Sequence, residues 1–227
     1  MHFFQYKKGE LYAEDIPVGR LADEFGTPLY IYSHKTIARH LEAYEMAFKS
    51  ITHVICFALK ANSNAAVIRL IGGLGGGADV VSGGELYRAL KAGIPPQKIA
   101  YAGVGKTEDE IRLALKSGIL MFNVESEQEL IEIDRIAGLM KKKAPIALRV
   151  NPDVDPQTHP YISTGLKKNK FGIPFEDAIE HYRLAARLRN IIIIGIHKHI
   201  GSQLTKVSPF VDALKRILML VDELAGQ

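Results

Sequence analysis

Lys60 closes the apolar run Val54-Ile-Cys-Phe-Ala-Leu59, and Ala61-Asn62-Ser63-Asn64 behind it reads as the opening of a helix. A strand that carries one primary amine to its C-terminal end, with a helix N-terminus just beyond, can hold a carbonyl cofactor bearing a phosphate. The amine forms the Schiff base, and a lysine gives up its proton readily once desolvated. Taken alone the segment is equally a solvated lysine at a strand end, because short motifs have real false-positive rates. A second group lies in Gly195-Ile-His197-Lys-His199-Ile-Gly201-Ser202. With a side-chain period of two, His197 and His199 share one face and Lys198 takes the other. If Ile194, Ile196 and Ile200 pack outward against helices, the histidines look inward. Two imidazoles at a strand end are either a metal pair or a ring-stacking platform, and His197 also reads as a buried imidazole satisfied by a carbonyl. A zinc site needs at least a third ligand. Cys56 and Asp79 are candidates, but neither sits at a spacing that demands it. Gly201-Ser202 favours a phosphate over a metal, so no metal is expected.

Two further residues belong to this set. Asp79 begins Asp79-Val-Val-Ser-Gly-Gly-Glu85, where a carboxylate either tunes a Schiff-base network or serves as an ordinary turn or cap residue. Arg149, in Ala147-Leu-Arg-Val-Asn151, ends an otherwise apolar strand. An unpaired charge there is too costly, so a structural ion pair beside the cofactor is expected. Gly73, Gly75 and Ala78 match a dinucleotide-binding pattern formally. They follow a helix and precede a strand, the reverse of what that fingerprint needs, so they read as a helix C-cap and turn.

The elements that must position these side chains alternate. Strands read 54–59, 78–82, 99–102, 121–124, 146–151 and 191–200, with helices near 63–71, 83–92, 107–117, 125–140, 175–189 and 205–225 between and after them. Short β-branched runs alternating with helical periodicity are the signature of βα units and a parallel sheet. Pro28–Tyr32 reads as an earlier strand, and Ser33 as the cap of a helix over 34–49. The fold class is therefore α/β. An open six-stranded sheet is the alternative, but short loops of one pattern with no strand-order reversal favour a (β/α)8 TIM-type barrel, incomplete at about six βα units. Residues 1–30 read as an N-terminal segment of a β-rich domain, and 31–227 as the barrel. The connection 152–174 is long, and long loops at that end of a barrel are usually functional.

With 227 residues, 47% hydrophobic and 24% charged, the chain has material for a sizeable core. A formal charge of +4 with scattered basic residues offers no basic stripe with stacking aromatics, so no nucleic-acid partner is expected. Cys56 is the single cysteine, which fits a reducing cytoplasm. No signal-peptide pattern opens the chain and no run approaches ~18 apolar residues, so no membrane partner is expected.

Phe57-Ala-Leu-Lys60-Ala-Asn, Gly77-Ala-Asp79-Val-Val-Ser-Gly-Gly-Glu-Leu86, Asn169-Lys-Phe-Gly172 and His197-Lys-His-Ile-Gly-Ser-Gln203 together resemble the alanine-racemase-like, fold-type III enzymes that use pyridoxal 5'-phosphate. Asn151-Pro-Asp-Val-Asp-Pro156 with Thr158–Lys167 is similar to the diaminopimelate decarboxylases within that class. The resemblance runs over nearly the whole chain, in order. It implies that Lys60 carries the cofactor, His199 stacks on the pyridine ring, and Ser202 binds the phosphate, with Asp79 and Arg149 in the inner polar shell. The reaction implied is loss of carbon dioxide from meso-2,6-diaminopimelate to give L-lysine, a small-molecule amino-acid substrate handled by a homodimer. Family members continue into a glycine-rich phosphate loop, a Glu-Pro-Gly-Arg segment and a β-domain, which this sequence lacks. The expectation is thus an inactive N-terminal fragment of such an enzyme. Ornithine, arginine or carboxynorspermidine decarboxylases and racemases of the class are the nearest alternatives. A metal-dependent hydrolase using His197 and His199 is the alternative from another class.

Overall fold

The computed structural model describes residues 2–153 and 171–226. The chain opens with a three-stranded antiparallel sheet of β1 (Phe4–Lys7), β2 (Glu10–Ala13) and β3 (Ile16–Pro17), followed by helix α1 (Val18–Phe25). Pro28–Tyr32, expected to be a strand, enters no ladder among the described residues. Tyr30 and Tyr32 are 86% and 57% exposed there. The β-branched and aromatic composition is right for a strand, but strand identity requires a hydrogen-bonding neighbour as well as propensity. Ser33 caps α2 (His34–Phe48) as expected, its side chain accepting from the Thr36 amide.

The repeating series then begins. Its parallel strands are β4 (Cys56–Ala58), β5 (Gly77–Val80), β6 (Ile99–Tyr101), β7 (Met121–Val124), β8 (Ala144–Asn151) and, beyond the two-residue β9 (Ile173–Pro174), β10 (Ile191–His197). The helices are α3 (Ala65–Gly73), α4 (Gly83–Lys91), α5 (Glu108–Ser117), α6 (Glu127–Leu139), α7 (Ala178–Arg187) and α8 (Ser208–Ala225). Neighbours in the sheet run β10-β8-β7-β6-β5-β4, with β9 attached to β8. Every pairing is parallel and sequential, the winding of a (β/α)8-type barrel of which six principal strands are seen. The expected connection 152–174 lies largely outside the described residues, as do the motif segments within 154–170.

Three of the helices, α4, α5 and α6, start with one local device. Ser82, Thr107 and Ser126 each accept a hydrogen bond from the amide three residues on, at Glu85, Glu110 and Glu129. Each of those glutamates reaches back to a backbone amide, of Val81, Thr107 and Glu125 respectively. This is the capping-box logic, with the amide one residue further back in two of the three cases. It rigidifies the strand-to-helix corners on the face where the site lies.

The register sorts side chains cleanly. Val80, Tyr101, Phe122 and Val124 point toward the helices with Ile146 and Leu148, all fully buried in one core with Leu86, Ile111, Leu130, Ile133 and Ile136. The opposite, interior face carries the row Ala58–Asp79–Ala100–Met121, then Asn123–Ala147–Gly195, then Arg149–His197. Gly77 marks a close approach: a Cβ there would lie 2.2 Å from the Lys98 carbonyl oxygen and 3.0 Å from Cys56 Sγ. In β10 the alternation is interrupted by an irregularity between Ile193 and Gly195. The expected outward packing of Ile194 therefore fails, and Ile194 is exposed. Ile196, facing the core with Leu148, and Ile200, buried, do follow the expectation. The extra residue restores phase before His197, which pairs with Arg149 on the interior side.

Candidate cofactor site

Lys60 lies in the turn that follows β4, one residue beyond Leu59, whose amide donates to the Asp79 carbonyl. Among the described residues Lys60 is exposed. Asn64 caps α3 immediately afterwards, its side-chain oxygen accepting from the Ala66 amide. Asp79 is a mid-strand residue on the interior face, and the cap of the following helix is Ser82, which removes the reading of Asp79 as a cap or turn residue. Burial holds the Asp79 carboxyl above the usual carboxylate range, opposed by the cations of Lys60 and Arg149. Lys60 and Asp79 thus feel each other across adjacent strand ends.

Arg149 finds the partner its burial demands. Its Nη1 donates to both carboxylate oxygens of Glu125 at 2.8 Å, with side chains 11% and 3% exposed. Its guanidinium also lies 5.6 Å from the centre of the Phe171 ring. His197 and His199 both sit in the field of Arg149, and His199 in that of Lys60 as well. Burial and these cations pull His197 down to about 3 and His199 to about 4, so both imidazoles are neutral near pH 7. The Nδ1 of His197 and the Oδ1 of Asn123 are buried without a hydrogen-bond partner among the described residues. Two orphaned polar atoms on an interior wall fit a site that completes itself with a polar ligand. Strand β10 ends at His197, shorter than expected, so His199 stands beyond it, and Ser202 lies exposed in the bend that follows.

Among the described residues no group of three His, Cys, Asp or Glu could hold an ion. Burial pushes the Cys56 thiol up to about 11, leaving it protonated at neutral pH.

Sequence reasoning brought Lys60, Asp79, Arg149, His197 and His199 together, but it missed Glu125, Lys106 and Glu129. Lys106 Nζ donates to the carbonyls of Gly103 (2.7 Å) and Asn123 (2.8 Å) and to Glu129 Oε1 (2.5 Å), with its side chain 1% exposed. The signals were present: a glutamate directly after β7, level with a strand-end arginine, and the repeated Ser/Thr-x-x-Glu spacing.

The sequence that carries this wall matches a known family. The profile described as "Pyridoxal-dependent decarboxylase, pyridoxal binding domain" matches residues 34–227. The chain belongs to the pyridoxal-dependent decarboxylases. Curated relatives include diaminopimelate decarboxylases of Aquifex aeolicus, 53% identical over 98% of this chain and 52% of that protein, and of Haemophilus influenzae, 54% identical over 99% and 54%. A solved diaminopimelate decarboxylase of M. jannaschii, in complex with L-lysine, superimposes with a TM-score of 0.92 at 41% identity, covering 98% of this chain and 53% of that one. The chain spans about half the length of the curated relatives it matches. Among the described residues no helix is long and apolar enough to cross a membrane.

Proposed function

We propose that this pyridoxal-dependent decarboxylase domain serves in the conversion of meso-2,6-diaminopimelate to L-lysine. The observation that carries the substrate is the contrast in similarity. Among solved structures, those named diaminopimelate decarboxylase are 30–44% identical to this chain, against 22% for an arginine and a lysine decarboxylase of the same fold, and curated diaminopimelate decarboxylases reach 53–54%. In this reading Lys60 binds the cofactor carbonyl carbon, and Ser202, beyond the end of β10, takes the phosphate. His199, held neutral, presents an uncharged aromatic face to the pyridine ring. Asp79 and the Arg149–Glu125 pair form the polar inner shell that orients these groups. The bound cofactor supplies an electron sink for the pair left behind as carbon dioxide departs. A homodimer, a cytoplasmic location, and assignment of the β1–β3 sheet to a separate β-rich domain belong to the same reading.

Incubation with pyridoxal 5'-phosphate, borohydride reduction and peptide mapping test the cofactor assignment. The pyridoxyl label is expected on Lys60, and a label on Lys106 or Lys198 with Lys60 unmodified overturns it. Carbon dioxide release by the whole-length protein from meso-diaminopimelate, ornithine and arginine tests the substrate. Faster turnover of either of the latter two overturns that part.

A further inference from the structure

Lys106 has no assigned role in the site just proposed, yet its side chain is only 1% exposed. It stands in the loop between β6 and α5. Its ammonium has three protons and three acceptors: Gly103 O in its own loop, Asn123 O in β7 and Glu129 Oε1 in the first turn of α6. The Tyr101 ring, 5.7 Å away, closes one side. Burial pushes the Glu129 carboxyl up, and Lys106 is the leading influence that opposes this. The second oxygen of Glu129 accepts from the backbone amide of Glu125 at 2.9 Å. Glu125 in turn grips Arg149 with both carboxylate oxygens. A continuous chain of charge-assisted hydrogen bonds therefore runs Lys106–Glu129–Glu125–Arg149, ending at the cation whose field reaches Asp79, His197 and His199.

We propose that Lys106 is a positioning residue for the cofactor wall, acting through Glu129 to fix the backbone of Glu125 and thereby the place of Arg149. The inference rests on the pyridoxal reading for its consequence and on the hydrogen-bond chain for its mechanism. Any buried ammonium must have its protons satisfied; what marks this one is that two of its three acceptors lie in other elements, β7 and α6, beside Glu125. The charge of Lys106 also reaches His197 directly, so amide exchange at Glu125 and the Arg149 signal, and not cofactor affinity alone, distinguish the relay from a field effect.

The test compares wild type, Lys106→Met and Lys106→Met/Glu129→Gln. Each is studied under conditions where its circular dichroism matches that of wild type. Three quantities are read: hydrogen exchange at the Glu125 amide, the NMR signal of Arg149 Nε–H, and the dissociation constant for pyridoxal 5'-phosphate. In Lys106→Met, Glu129 loses its counter-charge. Amide exchange at Glu125 should accelerate, the Arg149 signal should shift or broaden, and the dissociation constant should rise about tenfold, the scale of one lost charge-assisted hydrogen bond. In the double variant the neutral carboxamide at position 129 needs no counter-ion, and its carbonyl still accepts from the Glu125 amide. All three readouts should therefore return toward wild type. Unchanged readouts in folded Lys106→Met overturn the proposal, as does a double variant that binds the cofactor as weakly as the single one. If wild type itself binds no pyridoxal 5'-phosphate, the cofactor reading fails, while amide exchange and the Arg149 signal still judge the relay.

Discussion

Lowering the pH from 7 to 5 should weaken the fold through His197 and His199 specifically. In the folded chain they titrate near 3 and 4; unfolded, an ordinary histidine titrates near 6.5. A depressed folded-state pKa contributes stability that is fully present above pH 6.5. It is lost progressively as the unfolded chain takes up protons that the folded chain refuses. Between pH 7 and pH 5 linkage gives roughly 2 kcal/mol per histidine, about 4 kcal/mol for the two before solvent screening and about 2–4 kcal/mol after it. Below pH 4, and then 3, the folded imidazoles protonate as well and the loss levels off. Asp79 acts in the opposite sense, because burial raises its carboxyl pKa and acid favours its folded form. It is common to both proteins compared and so drops out. The assay is urea unfolding at pH 7 and pH 5 for wild type and His197→Gln/His199→Gln. Wild type should lose about 2–4 kcal/mol more than the double variant over that interval. Equal losses would show that neither imidazole is held neutral by its surroundings, and the electrostatic account of this wall would fall with that result.

Removing Glu125 alone should be costly: Glu125→Ala leaves the Arg149 guanidinium buried and unpaired, worth roughly 3–5 kcal/mol in chemical denaturation. Most of that should return in Glu125→Leu/Arg149→Met, and failure to recover would place the cost in packing. For cofactor affinity by fluorescence titration, His199→Ala should weaken binding more than His197→Ala, by about 0.5–1.5 kcal/mol for the lost ring contact. Equal effects would remove the stacking role. Gly77→Ala forces a methyl against the Lys98 carbonyl and the Cys56 sulfur, and should lower thermal stability by roughly 1–3 kcal/mol. A neutral outcome would mean that β4 and the start of β6 separate easily.

The order of βα units was legible in the sequence because it depends on short-range chemistry. Period-two and helical hydrophobic spacing, with Ser, Thr or Asn before many of the helices, set strands and helices within a few residues of where they lie, as at Met121–Val124 and Ser33–Phe48. The lysine after the first barrel strand and the two histidines near the end of β10 stood out because an amine or imidazole closing an apolar run is visible without knowledge of any neighbour. What tertiary structure decided is whatever needs a second strand. Pro28–Tyr32 has strand composition but no ladder among the described residues, and the irregularity at Ile193–Gly195 exists only in pairing with β8. The partner of Arg149 is 24 residues away, and Lys106 is 23 from the carboxylate it neutralises. Such pairs are formed by the register of one strand on the next, since only that register brings charges from separate units within hydrogen-bonding distance and away from water, where leaving either one single would be prohibitive.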